Sequence, residues 1–190
     1  MKASLYKIFF WVAIVVVTLP GYLHAQQFVP AARGCKVEFK LTSHRYEEEV
    51  VKGRLTGLTG KITFDPKNLN TAAFDITISA GSINTGMAER DKGIKKEPYF
   101  NPAKYPLIHI KSTSVTLDRP DGIVYTLHGN LTMKGITKPV NIQFMATPMG
   151  GAYLFRGSLE VSRTAFGIGT KDDRMDDNVS VFIEVRTAKK

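Results

Sequence analysis

IVYTLHGNLTMKGITKPVNIQF, residues 123–144, holds two apolar rows joined by a tight turn. Ile123, Tyr125, Leu127, Leu131 and Met133 share one face, with Gly129 as a bend within the row. After Lys134-Gly135, Val140, Ile142 and Phe144 alternate with Asn141 and Gln143. A period of two belongs to a strand with one buried face and one wet face. A connection this short makes the two strands antiparallel neighbours.

The same alternation extends in both directions. Upstream, Val37, Phe39 and Leu41 oppose Lys36, Glu38 and Lys40, and Val50-Val51 opens the next strand. Ile62 and Phe64 form a short row, and Phe74, Ile76 and Ile78 a longer one. Ile108 and Ile110 lead toward Val115 and Leu117. Downstream come Tyr153, Phe155, Leu159 and Val161, then Val179, Val181, Ile183 and Val185. Turns are expected at 65–70, 119–122 and 149–151, and a solvated charged loop at 171–177. Gly53, Gly57 and Gly60 permit the bulges and bends that a curling sheet needs. The count is about eight antiparallel strands, all-β, and closing such a sheet removes its exposed edges, so a barrel or a strongly curled sandwich is expected. Eight strands leave an interior that side chains just fill or that holds one elongated ligand. Phe39, Phe64, Phe74, Tyr125, Phe144 and Phe155 lie on the inward rows and suit either outcome.

One stretch breaks the pattern: SINTGMAERDKGIKKEPYFNPAKYP, residues 82–106. Asn84 and Thr85 offer helix N-caps, and a short helical insert is expected around residues 84–97, limited by Gly93 and Pro98. It is expected to cover an end or an edge of the barrel.

The N-terminus carries a different signal. Lys2 and Lys7 precede an apolar run from Ile8 to Leu19, broken by Pro20-Gly21, and Leu23-His24-Ala25 ends in a small residue. Residues 1–25 therefore read as a cleavable secretory signal peptide and residues 26–190 as one domain, periplasmic or secreted. The run falls short of the ~20 residues that span a bilayer. Removing Lys2 and Lys7 with the signal lowers the formal charge from +9 to +7. The basic residues are scattered, with mild clusters at Lys92, Lys95 and Lys96, and no nucleic-acid signature accompanies them. Cys35 is the only cysteine, so no intramolecular disulfide is expected, and a buried or intermolecularly paired thiol is.

Catalytic and metal chemistry find little support. His44, His109 and His128 show no ligand spacing, and the 171–177 aspartates lack a calcium loop's alternation and central glycine. There is no Gly-x-Ser-x-Gly elbow and no phosphate-cradling loop. Arg90 and Asp91 are expected to fix the insert or to stand at a ligand mouth, and Arg163 to tie a strand end to a loop.

Four blocks resemble the YceI-like family of exported, lipocalin-like polyisoprenoid-binding proteins. They are GRLTGLTG at 53–60 running into ITFDP at 62–66; SINT at 82–85 with Arg90-Asp91, Tyr99-Phe100 and Tyr105-Pro106; GNLTMKGITKPV at 129–140; and RTAFGIG at 163–169. The family often carries a His-Leu pair shortly after its Arg-Asp, where Gly93-Ile94 stand in this chain. The resemblance implies an eight-stranded antiparallel barrel with a helical segment, and an elongated apolar cavity for the isoprenoid tail of a quinone or polyprenyl lipid. On that basis Val37, Phe39, Leu41, Phe64, Phe74, Ile76, Ile108, Ile110, Tyr125, Leu127, Phe144 and Phe155 are expected to line the cavity. The expected function is holding an amphiphilic isoprenoid lipid for storage, transport or protection, as a monomer or homodimer, without a catalytic cofactor. Lys92, Lys95 and Lys96 would steer the mouth toward anionic membrane surfaces. The alternatives are an exported stress-response or interaction protein with a filled barrel, and, behind it, an enzyme.

Overall fold

The computed structural model describes residues 26–44, 48–118, 122–171 and 174–190. The expected signal peptide, the turn residues 119–121 and the loop residues Asp172 and Asp173 lie outside the described residues. The elements are β1 (Gln27–Pro30), β2 (Lys36–Ser43), β3 (Glu49–Leu55), β4 (Thr59–Thr63), β5 (Ala73–Ser79), α1 (Ala88–Ile94), β6 (Leu107–Leu117), β7 (Val124–Met133), β8 (Ile136–Met149), β9 (Ala152–Ser162) and β10 (Asn178–Lys189). Short 3-10 turns stand at Leu69–Thr71, Ala80–Ser82 and Thr164–Phe166.

All strands form one sheet in the order β1-β4-β5-β6-β7-β8-β9-β10-β2-β3, and β1 also pairs with β10. That last pairing closes an antiparallel barrel of eight strands, β1 and β4 through β10, with β2 and β3 as two extra strands. Closure is set by Phe28 opposite Ile62 on one side and Val29 opposite Ala188 on the other. Along the rest of β10, β2 takes the place of β1, with Val37 opposite Ile183 and Phe39 opposite Val181. β1 and β2 thus share one neighbour end to end, separated by the bend at 31–35.

The inward rows match the alternation with identifiable exceptions. β1 has no counterpart in the sequence reading: four residues ending in Pro30 are too few to show a period. Ile123 is 59% exposed, because β7 begins one residue later and its inward row starts at Tyr125. The helix is shorter than 84–97, and its N-cap is Met87, without a side-chain cap. Asn84 and Thr85 do not cap it because both are used elsewhere. The Asn84 side-chain oxygen accepts from the Gly86 N–H at 2.8 Å while its backbone exchanges bonds of 2.9 and 3.0 Å with Arg54, and Thr85 donates its N–H (2.8 Å) and hydroxyl (2.7 Å) to Asp91. Cys35 is half-buried, its Sγ 3.4 Å from the carbonyls of Ala31 and Arg186, and its burial pushes the thiol pKa up.

Two glycines meet geometric demands. Lys134 and Gly135 both have positive φ, +48° and +76°, the two-residue turn whose twist matches that of antiparallel strands. Gly60 has φ +136°, and a Cβ there would stand 2.1 Å from the carbonyl oxygen of Asp75 on β5.

One end of the barrel is packed solid. Phe64, 1% exposed, is ringed by Phe74, Tyr125, Phe144, Tyr153 and Phe155, with ring centroids 5.2 to 6.3 Å away and edge-to-face geometry. Phe28, fully buried, meets Tyr153 edge-on at 5.5 Å. Such pairs add ~0.5–1.5 kcal/mol each beyond the area they bury. Toward the other end the buried residues change to Val37, Leu55, Ile78 and Ile83 on one side and Leu131, Met133, Val161, Phe166 and Ile168 on the other. Aliphatic walls replace the aromatic floor.

Phe64→Ala is expected to lower stability by ~3–5 kcal/mol, read as a shift in the urea midpoint. In the same assay Gly60→Ala should cost at least ~2 kcal/mol, since the added methyl meets backbone that cannot move aside alone.

Candidate functional site

Above the aromatic floor the barrel encloses a cavity of about 1260 Å³. The structure places ten of the twelve expected lining residues on its wall: Val37, Phe39, Leu41, Phe74, Ile76, Ile108, Ile110, Leu127, Phe144 and Phe155. Phe64 and Tyr125 are not on the wall. They lie in the floor, where Phe64 fills the centre and the Tyr125 hydroxyl donates to the Gly122 carbonyl at 3.0 Å. The wall also takes residues outside the expected set, among them Val51, Leu55, Ile83, Leu131, Met133 and Leu159. The β10 row of Val179, Val181, Ile183 and Val185 joins them. The signal for these was already in the alternation, which set most of them on inward rows without distinguishing cavity from core.

Polarity is confined to part of the lining: Ser43, Glu48, Glu49, Thr85, Glu89, Arg90 and Arg163. Several belong to the insert and the loops facing it, so the cavity runs from an apolar floor to a polar mouth. The insert is held at the mouth by specific ties. The Asn84–Arg54 backbone bridge fastens it to β3, and the Arg90 guanidinium donates to Glu49 at 3.0 Å. At its far end Lys134, on the β7–β8 turn, donates to Glu97 at 2.8 Å, to the Pro98 carbonyl, and to the Gly167 carbonyl at 2.7 Å. Lys134 therefore ties the insert to the β9–β10 loop, and it holds the Glu97 carboxyl below its usual range. Arg90 and Asp91 fulfil the tethering expectation, and Arg90 also stands on the cavity wall. Of the three lysines, Lys92 pairs with Glu89 at 2.8 Å, Lys95 is half-buried and Lys96 is exposed.

In the β9–β10 loop Lys171, Arg174 and Asp176 are exposed as expected, and several described residues are also tied down. Arg163, 6% exposed, donates to the carbonyls of Asp176 (2.9 Å), Ile168 (3.1 Å) and Met175 (3.0 Å). The Asp177 carboxylate accepts from Ser162 (2.6 Å) and from the Thr164 hydroxyl and N–H (2.6 and 2.9 Å). Those hydrogen bonds lower the Asp177 pKa to about 2, with a smaller contribution from the Arg163 charge. Asp176 pairs with His44 at 3.2 Å, and Ser43 bridges Met175, so the loop is laced to the end of β2. His109 and His128 face outward as expected, paired with Asp75 and Asn141 at 2.8 Å each. Among the described residues no three His, Cys, Asp or Glu side chains are grouped to hold a metal ion.

Residues 30–187 match the model of the YceI-like domain. A UPF0312 protein of Shewanella denitrificans is 29% identical over 177 residues, covering 90% of this chain and 92% of the relative. One from Pseudomonas aeruginosa is 33% identical over 138 residues, covering 70% of each. Among solved structures, Burkholderia cenocepacia BcnA superposes with a TM-score of 0.74 at 21% identity, covering 84% of this chain and 99% of that one. A polyisoprenoid binding domain from Saccharophagus degradans gives 0.65 at 13% identity, covering 86% and 98%. At these identities the structures establish a shared fold.

The loop's ties lead to a pH prediction. A carboxyl whose folded pKa lies below its unfolded value contributes stability above the unfolded pKa, and this is lost as pH falls. For Asp177 the loss should run from 3.8 down toward about 2. Acid unfolding of Asp177→Asn should be shallower in that window than that of the native protein, while the native protein is the more stable at neutral pH. On the insert, Gly93 lies on the cavity wall and a Cβ there meets nothing within 4 Å. Gly93→Ala should raise the thermal midpoint, by the ~0.5–1 kcal/mol that a helical glycine forgoes.

Proposed function

Because the chain belongs to the YceI-like family, we propose that it is an exported binding protein that holds an isoprenoid lipid, tail inward, in its barrel. The observation that carries this reading is the apolar cavity of about 1260 Å³ above a closed aromatic floor, with its polar residues at the mouth. That volume exceeds the ~300–1,000 Å³ of ordinary small-molecule sites. A barrel filled by its own side chains would pack to native density and leave no space of this size, which argues against a ligand-free scaffold.

Binding such a tail requires little polar recognition. Each methylene withdrawn from water contributes ~0.8 kcal/mol, so one five-carbon unit supplies a few kcal/mol before ordering losses. Ile76, Ile110, Leu127 and Phe144 supply apolar contact, and water enclosed by such walls has few partners to lose. The polyisoprenoid binding described for the Saccharophagus degradans domain supports the same ligand class here. A prenyl alcohol, prenyl phosphate or isoprenoid quinone each offers a long tail with one polar end. The arrangement of an apolar sac with a few mouth charges supports binding rather than catalysis.

Export rests on the pattern of residues 1–25, and a periplasmic or secreted holder of water-insoluble lipid needs such a signal. Lys92 and Lys96, exposed on the insert beside the mouth, would bring the opening toward anionic headgroups during loading.

Native mass spectrometry of the protein purified from an exporting host, followed by solvent extraction, tests the reading. The expected result is one prenyl lipid per chain, released on denaturation, on a protein whose N-terminus is Gln26. Ile110→Glu should abolish the lipid while leaving the circular dichroism spectrum unchanged. A native protein that is empty and also takes up no added prenyl quinone or polyprenol would defeat the proposal.

A further inference from the structure

Arg163 stands on the cavity wall and is 6% exposed. A guanidinium has five N–H donors. Three bonds are accounted for, all to backbone carbonyls: Nε to Asp176, Nη1 to Ile168 and Nη2 to Met175. One N–H on each terminal nitrogen is left without an acceptor among the described residues. No carboxylate among them forms an ion pair with Arg163. The Asp177 carboxylate, lowered in small part by the Arg163 charge, has its oxygens taken by Ser162 and Thr164. The charge is thus held by carbonyl dipoles, at the border of an apolar space where the attraction between opposite charges is weakly screened.

The other mouth charges are differently placed. Arg90 is engaged by Glu49, and Glu89 by Lys92. Glu48, Glu49 and Glu89 are exposed, so water and salt screen them from anything in the cavity. Among the described residues of the lining, Arg163 alone combines burial, a full charge and spare donors. Two N–H groups on neighbouring terminal nitrogens are the pair that a carboxylate or phosphate accepts with two oxygens. Ser43 and Tyr99 share its wall, and the Nη1 atom would stand 2.8 Å from a Cβ at Gly169, a position where glycine leaves room for the guanidinium.

Resting on the lipid-binding reading above, we infer that Arg163 binds the anionic oxygen headgroup, phosphate or carboxylate, of an amphiphile whose tail fills the cavity. The protein is then selective for charged lipids over neutral ones of equal tail length. Its loop ties serve this role too, since Met175, Asp176 and Ile168 hold the guanidinium plane in one orientation.

The test compares three ligands with one tail: geranylgeranyl monophosphate, geranylgeranoic acid and geranylgeraniol, each titrated by calorimetry into the purified protein. At least one anion should bind ~10-fold or more tightly than the alcohol, the ratio that one charged hydrogen bond supplies. The tighter of the two anions names the headgroup. In Arg163→Gln that ratio should collapse toward one. Equal affinities for all three in the native protein would overturn the inference and leave lipid binding standing. A ratio retained in Arg163→Gln would overturn the part assigned to Arg163. Binding of none of the three would overturn the inference, while the lipid-binding reading stands or falls by the mass-spectrometric test above. Because Arg163→Gln also cuts three loop ties, a crystal structure of the native protein with the tighter anion provides a second measurement. Headgroup oxygens within hydrogen-bond reach of Nη1 and Nη2 support the inference, and a headgroup seated elsewhere refutes it.

Discussion

Strand β10 is where the sheet becomes a barrel. Its C-terminal residues pair with β1 and its N-terminal part with β2, while its other edge is zipped to β9 from Asn178 to Arg186. Without the β1 pairing the sheet would end in open edges, with rows of unpaired N–H and C=O groups. With it, the inward rows of every strand face a common interior. The cavity, the floor and the mouth all follow from that closure.

The interior is asymmetric along the barrel. At one end the rows supply rings, and Phe64 meets five of them, so the space is filled. At the other end the rows supply mostly valine, leucine and isoleucine, with Phe39 and Met133 among them, and the space between them stays open. The space they leave is bounded above by the insert. This insert is tethered on both sides, through Arg54 and Glu49 to β3 and through Lys134 to the β7–β8 turn and the β9–β10 loop. The polar mouth is therefore assembled from segments distant in the chain, and it stays in register with the apolar wall because each segment is bonded to the sheet.

Much of the wall was legible in the residues. Val37, Phe39, Ile76, Ile110 and Phe144 lie on inward rows because alternation assigns each to a face, and the turn at Lys134-Gly135 could be placed from spacing alone. Alternation puts Phe64 and Tyr125 on the same wall, and parity cannot separate them from it, since floor and wall residues point the same way. β1 was too short to show a period, yet it closes the barrel. The cap positions at Asn84 and Thr85 were read from local preference, which the bridge to Arg54 and the bonds to Asp91 override. The charges of the 171–177 segment mark it as solvated, and Lys171, Arg174 and Asp176 are exposed, but nothing in them shows that the carbonyls of Met175 and Asp176 are what Arg163 uses.

Sequence alone carries the class of the fold, the inward face of every strand but β1, the place of the non-strand insert and the family. These are local or additive properties: a period of two, turn chemistry, and motifs in fixed order. How high each inward residue sits in the barrel, and so which aromatics fill the floor and which border empty space, is settled only by the packed fold. Height depends on register between strands far apart in the chain, and a shift in register changes no local pattern except by flipping faces. The environment of Arg163 was decided in the same way. That it ties a strand end to a loop is legible in the sequence, but its three carbonyl partners are chosen by the way the loop folds back through bonds to β2.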